Sequence, residues 1–367
     1  MSISRDPTAA GIANWDALSD TQQLLTVESV AREYALRNKS ALQALGSRVV
    51  SVGAGFRERT VGSRYKKQRR VYRDEVVLVV FVDEKGDADV PVPDRVHLSA
   101  IVQGAGPGEG KRRVLSIPTD VVERSQDAQA EFDMLLRADH PSRNFINGTA
   151  CALVRTHSDS TPYLLGCHHV LRMSLDDPHA RSVPGCHVET NALQRIGTPV
   201  GGDLMPGAPN IDAALTDTTE VPGGQVVRGR SFWRHPYPSG IAHTHAEWAD
   251  LVVRQRPNWI LTPWGTNPKV ALKYVRVEYN KLINYSFQTV RVAEVHVYQC
   301  TPTGTKTYAG YSGAPIVGGG VLVGMHIAGE VIRVGNQHIG YSYATPSYAI
   351  CDPGPLTTPG LTLAQPN

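Results

Sequence analysis

The sequence predicts a mainly β protein preceded by a small α+β module, and three observations carry that prediction. Glycine (34) and proline (25) are plentiful among 367 residues, which favours many turns between short strands over a helical bundle. From Val49 onward, apolar β-branched runs recur, bounded by glycine or charged residues. One long segment, Asp16 to Leu45, instead follows the 3.6-residue helical period.

In chain order, Leu18, Leu24, Leu25, Val27, Val30, Ala31, Tyr34, Leu42 and Leu45 form the apolar stripe of a packed helix, with Asp20 as its cap and Gly46 as its stop. Val49-Val50-Ser51-Val52-Gly53 and Val76 to Val82 read as strands, the second well buried. Between them, Arg57 to Arg73 reads as a basic loop carrying Arg57, Arg59, Arg64, Lys66, Lys67, Arg69, Arg70 and Arg73 against Glu58. Such a cluster could hold phosphates, but charge runs are usually solvated, and Tyr65 and Tyr72 are too few for a base-stacking surface. Gly104 to Gly110 is a turn, since no Lys-Ser/Thr pair closes it into a phosphate loop. Ser125 to Arg143 is polar and suits a linker.

Composition narrows the function. With 41% hydrophobic and 19% charged residues the chain can bury a core, so bulk disorder is excluded. A net charge of +3 argues against a nucleic-acid or membrane partner for the molecule as a whole. No apolar run follows Arg5 as a secretory signal would require, and none approaches the roughly 18 residues of a membrane span. The expected location is the cytoplasm, with no membrane partner. Cys151, Cys167, Cys186, Cys300 and Cys351 are an odd set without CxxC spacing and read as reduced thiols.

Three later passages share one chemistry. Gly148 to Val154 and Tyr163 to Leu171 read as strand, hairpin, strand, with His168-His169 where the second strand ends. Asn210-Ile211-Asp212-Ala213-Ala214-Leu215 embeds an acid in an apolar run, where burial demands a hydrogen-bond partner such as an imidazole. Ala309-Gly310-Tyr311-Ser312-Gly313-Ala314-Pro315 sets a serine in a glycine-rich turn before the Val321 to Gly329 strand. A serine hydroxyl needs a base to become a nucleophile, and the base needs a third group to fix its tautomer. His169, Asp212 and Ser312 supply those roles. Backbone N–H groups of Gly310 and Ser312 would form the oxyanion hole. Asp203, in a Gly-Gly turn, and Asp217 are weaker candidates for the acid.

In the order His, Asp, Ser within Asn144 to Asp352, the strings LGCHHVL, DAAL and GYSGAP resemble the chymotrypsin-like (trypsin-like) serine peptidases. That resemblance implies a double β-barrel with the site in the cleft between the barrels. It selects His169, rather than His168, as base, with His168 pointing the other way along the strand. It also implies a peptidase domain over 144–355, after a 1–124 regulatory module and a 125–143 linker and before a 356–367 tail. Where secreted relatives carry an aspartate before the serine, this chain has Tyr311, so activation by a new N-terminal ammonium is unavailable.

Lys306, at the position that marks the specificity pocket base in trypsin-like relatives, argues against Arg or Lys at P1. Thr307, with Gly324-Met325-His326, resembles glutamyl endopeptidases and viral 3C-like proteases, which implies a pocket for Glu, Gln or Asp lined by Thr307, His326, Lys306 and Gly329. The N-terminal runs Val49 to Phe56, Asp74 to Lys85 and Ile117 to Glu123 resemble a module ahead of trypsin-like domains in uncharacterised bacterial proteins and plant NARROW LEAF proteins, implying a bacterial intracellular role in stress or antiviral defence.

The expected partners are a protein or peptide substrate and an activating or inhibitory protein, with no cofactor and no metal. His243-x-His245-x-Glu247 with Asp250 lacks a further fixed ligand. Trp233, Trp248, Trp259 and Trp264 read as core or loop packing, and the sequon at Asn147 has meaning only after secretion. The alternative function is a pseudoprotease that recruits nucleic acid or a protein through the basic loop.

Overall fold

The computed structural model describes residues 12–13, 18–43, 49–62, 68–82, 94–103, 110–123, 128–129, 136–139, 147–156, 159–171, 187–190, 195–201, 211–219, 224–233, 236–254, 258–261, 269–285, 289–308, 311–352 and 360–367. Gly46, the Gly104 turn, Asp203, Trp264, Cys186, Gly310 and most of the 125–143 segment lie outside them. The chain divides into two compact units. One comprises Met1–Gln126, Val275–Lys281 and Val334–Asn336; the other comprises Asp127–Tyr274, Leu282–Arg333 and Gln337–Asn367.

In the first unit the helix Asp20–Gln43 begins one residue later than its cap, which is Ser19 and not Asp20. The Gln22 amide donates to Ser19 Oγ at 3.4 Å, and Ser19 N donates back to Gln22 Oε1 at 2.9 Å, a reciprocal capping box that places Asp20 in the first turn. The helix buries Ala31, Tyr34, Ala35 and Leu42 against the hairpin formed by strands Val49–Val61 and Gln68–Val82. Those strands run much further than their apolar cores. Arg57 to Val61 pairs with Gln68 to Tyr72, so most of the expected basic loop is strand. Ion pairs and ring contacts accommodate the charge: Arg57 reaches Asp120 and Glu75, Arg59 reaches Glu75 at 3.1 Å, and Arg59 and Arg70 flank the Tyr72 ring at 5.6 Å.

Val76 to Val82 are buried without interruption, as the sequence suggests, because a second cluster of Val77, Val79 and Phe81 packs with Val122. Residues 276–279 pair antiparallel with Val52 to Gly55. The strands approach so closely there that a Cβ on Gly53 would lie 2.0 Å from the Val277 carbonyl oxygen.

The second unit is also built from strands. One sheet runs in the order Leu361–Leu363, Ala152–Thr156, Asp159–Gly166, Ala214–Asp217, Arg195–Gly201, His187–Thr190, Leu136–Asp139, Asn147–Gly148. The rest of the unit includes Asn258–Leu261 paired with Pro315–Gly318, which turns into Val321–Val334, and Thr289–Thr301 paired with Gln337–Pro346. The mainly β expectation holds. A pair of closed barrels is not what these pairings draw, since the first sheet stays open between Leu361–Leu363 and Asn147–Gly148. Trp248 anchors the core, edge-on to Tyr274 and His296 at 4.9 and 4.2 Å. Trp233 is buried as well, and Trp259 is half-buried. Among the described residues, no helix is long and apolar enough to cross a membrane.

Candidate active site

Strand register brings the imidazole and the carboxylate together. Asp159–Gly166 and Ala214–Asp217 are antiparallel neighbours with Gly166 opposite Ala214. The residues just after Gly166 and just before Ala214 therefore leave the sheet at the same end. After Gly166 the chain makes a short helix, His168–Leu171, rather than continuing as strand. The expected alternation of His168 and His169 across a strand therefore does not apply.

His169 and Asp212 are both fully buried. His169 Nδ1 lies 2.5 Å from Asp212 Oδ2, and the His169 backbone amide donates to Oδ1 at 3.1 Å. Tyr285, missed in the sequence, donates its hydroxyl to Oδ2 at 2.9 Å, and its ring centroid is 5.0 Å from that of His169. Burial alone would raise the Asp212 carboxyl, but the charge and hydrogen bonds of His169, with the charge of His168, outweigh it and hold the group below the usual carboxylate range.

Ser312 is also fully buried. Three backbone features seat its turn. The Thr149 amide donates to the Ser312 carbonyl at 2.7 Å, Gly313 N donates to the His326 carbonyl at 2.8 Å, and His326 N donates to the Ala314 carbonyl at 2.9 Å. Gly313 has φ +95°, and a Cβ there would lie 1.9 Å from the Thr149 carbonyl oxygen, so only glycine fits. The His326 carbonyl also accepts from the Cys167 thiol at 3.3 Å, so one acceptor ties the Ser312 turn to the segment that carries His169. The Ser312 hydroxyl itself donates to the Ile327 carbonyl at 3.2 Å. Gly310, the other expected oxyanion donor, lies outside the described residues.

The expected pocket residues occupy varied settings. His326 is fully buried, with Nδ1 2.7 Å from Ser342 Oγ and its ring 6.5 Å from that of Tyr311. Thr307 is buried, while Lys306 is exposed with its ammonium 5.2 Å from the Tyr308 ring. Gly329 is buried opposite Gln129.

Among the described residues, the one close group of metal-type ligands is Cys167, His169 and Asp212, whose ligand atoms lie within 4.8 Å of one another. Burial, then the Asp212 charge, pushes the Cys167 thiol well up, in keeping with its role as donor to the His326 carbonyl. Among the described residues, the His243, His245, Glu247 and Asp250 set does not bring its ligand atoms together as that group does. Thr244 caps the helix His245–Ala249, Glu247 accepts from His243 N at 2.8 Å, His245 stacks 5.5 Å from Trp248, and Asp250 pairs with Arg254.

No family model matches the chain, and no curated protein matches it. Solved structures are similar, among them three described as proteases. One, a glutamic acid specific serine protease that utilises a histidine triad in substrate binding, is 13% identical, covering 62% of this chain and 97% of its own, with a TM-score of 0.38. The Nocardiopsis protease is 14% identical over 65% of this chain and 100% of its own, with a TM-score of 0.35. Thermobifida fusca protease A is 16% identical over 60% and 92%, with a TM-score of 0.30. At such identities and TM-scores the likeness carries no functional weight; the residues must.

Tyr285, Cys167 and Ser342 make polar contacts at the candidate site that sequence reasoning missed. Tyr285 and Ser342 stand outside the quoted strings and Cys167 inside one, yet for all three only tertiary approach supplies the polar partner.

Proposed function

We propose that this chain is a serine endopeptidase with Ser312 as nucleophile, His169 as general base and Asp212 as the group that orients His169. The observation that carries this reading is the fully buried His169–Asp212 bond beside a serine turn tied to it through the His326 carbonyl. In the forward step Ser312 Oγ bonds to the scissile carbonyl carbon and its proton passes to His169 Nε2. Asp212 then stabilises the imidazolium, and backbone N–H groups of Gly310 and Ser312 receive the oxyanion. Collapse breaks the C–N bond, the proton goes to the leaving amine, and water releases the acyl group by the same route.

The same proposal makes it an intracellular peptidase of bacterial stress or antiviral defence that works with a protein partner. Within the pocket, His326, whose Nδ1 lies 2.7 Å from Ser342 Oγ, with Lys306 nearby in sequence, favours Glu, Gln or Asp at P1. Digestion of a peptide library tests this: cleavage after acidic or Gln residues, absent in Ser312→Ala, is expected. Cleavage after Arg or Leu overturns the P1 preference, and cleavage that survives Ser312→Ala overturns the enzyme reading.

A further inference from the structure

We infer that Tyr285 is a positioning residue of this site: its hydroxyl holds Asp212 Oδ2, and its ring walls the His169 imidazole. The inference rests on the peptidase reading above and extends it to a residue that no motif contains.

Asp212 sits where water cannot help it. Its carboxylate is fully buried, and among the described residues its donors come from two sources: the backbone amide and ring of His169, and the phenol of Tyr285. A carboxylate oxygen that accepts only from His169 could pivot with the imidazole, because both partners would move together. The Tyr285 bond removes that freedom, since Tyr285 follows the strand Lys269–Asn284 and belongs to neither segment it steadies. The same side chain constrains the imidazole directly. Its ring lies 5.0 Å from the His169 ring at an interplanar angle of 52°, filling the space into which the imidazole would tilt.

The phenol suits this task better than an ionisable group would. Burial first, then the Asp212 charge, pushes the Tyr285 hydroxyl well above its ordinary range, so it stays a proton donor wherever the enzyme works. It neither takes part in the proton transfer nor competes with His169 for the proton from Ser312.

The rate of inactivation by a fluorophosphonate reads the role without a known substrate. Tyr285→Phe keeps the ring and removes the hydroxyl. A hydrogen bond to a charged group predicts a fall of about 10- to 100-fold in the maximal inactivation rate, with the half-saturating probe concentration unchanged. In an Asp212→Asn background the same substitution has no further effect, because the hydroxyl acts through the carboxylate. A Tyr285→Phe protein that matches wild type, or that loses as much in the Asp212→Asn background, overturns the positioning role.

If Ser312→Ala reacts as fast as wild type, or wild type does not react at all, it is the peptidase reading that fails. Should Tyr285→Phe not fold, proton NMR of the wild type still decides. A carboxylate-held Tyr285 hydroxyl gives a slowly exchanging resonance that vanishes in Asp212→Asn, and its absence overturns the proposal.

Discussion

Glu278 in one unit and Asp212 in the other are both fully buried carboxylates held below the usual range, yet they are neutralised in opposite ways. For Glu278, burial is opposed by two permanent cations, Lys281 at 3.1 Å and Arg276 at 2.8 Å, with Arg276 also bound to Glu58 at 2.7 Å. Asp212 instead faces an imidazole, which can gain and lose a proton, and a phenol, which carries no charge. A buried charge with fixed counter-charges is compensated in every state and has no changing charge to answer. One whose counter-charge appears on demand can stabilise a transient imidazolium, and it is therefore Asp212 that can serve chemistry.

Substitutions at the two sites should separate them. The largest effect belongs to the catalytic side: Ser312→Ala should lower turnover by about 10⁶-fold, and Asp212→Asn by about 10⁴-fold through the wrong tautomer, both measured on the peptide selected from the library. Glu278→Gln should do the reverse. It leaves Arg276 and Lys281 without their shared buried anion, so urea unfolding should show a loss of about 3–5 kcal/mol, while the rate per folded molecule stays at the wild-type value. A rate loss in Glu278→Gln matching that of Asp212→Asn would break the distinction.

Acid sharpens the contrast at smaller amplitude. Folding lowers both carboxyls, so the unfolded chain takes up protons that the folded chain refuses. The stability they contribute is complete above their ordinary values, 3.8 for Asp212 and 4.5 for Glu278, and is lost as pH falls through the lower folded values. Urea midpoints followed into acid should fall in that window, less steeply in Glu278→Gln. Smallest of all, Asp250→Ala removes an ion pair whose side chains are 49% and 41% exposed, and its unfolding free energy should change by less than about 1 kcal/mol.

What could be read from the sequence follows the same divide between local and tertiary causes. The strings around His169, Asp212 and Ser312 nominate residue types in an order, and the β-branched apolar runs nominate strands. Neither carries the register of Gly166 against Ala214 that sets imidazole beside carboxylate. The basic segment reads as a loop because its charge hides the strands of a long hairpin, whose counter-charges, Glu75 and Asp120, lie beyond it in the chain. The Ser19–Gln22 cap is local and lies within reach of the sequence, where the adjacent Asp20 is an equally good cap by residue type. Tyr285 and Ser342 could not be found in this way, since their roles arise from single contacts made across the fold.

The most direct test of the central claim is intact-mass analysis and peptide mapping after reaction of the full chain with a fluorophosphonate. One adduct per chain, on Ser312, is expected, absent in Ser312→Ala and formed far more slowly in His169→Ala. A folded wild-type protein that stays unmodified, an adduct on another residue, or modification of Ser312 at an unchanged rate in His169→Ala would contradict it.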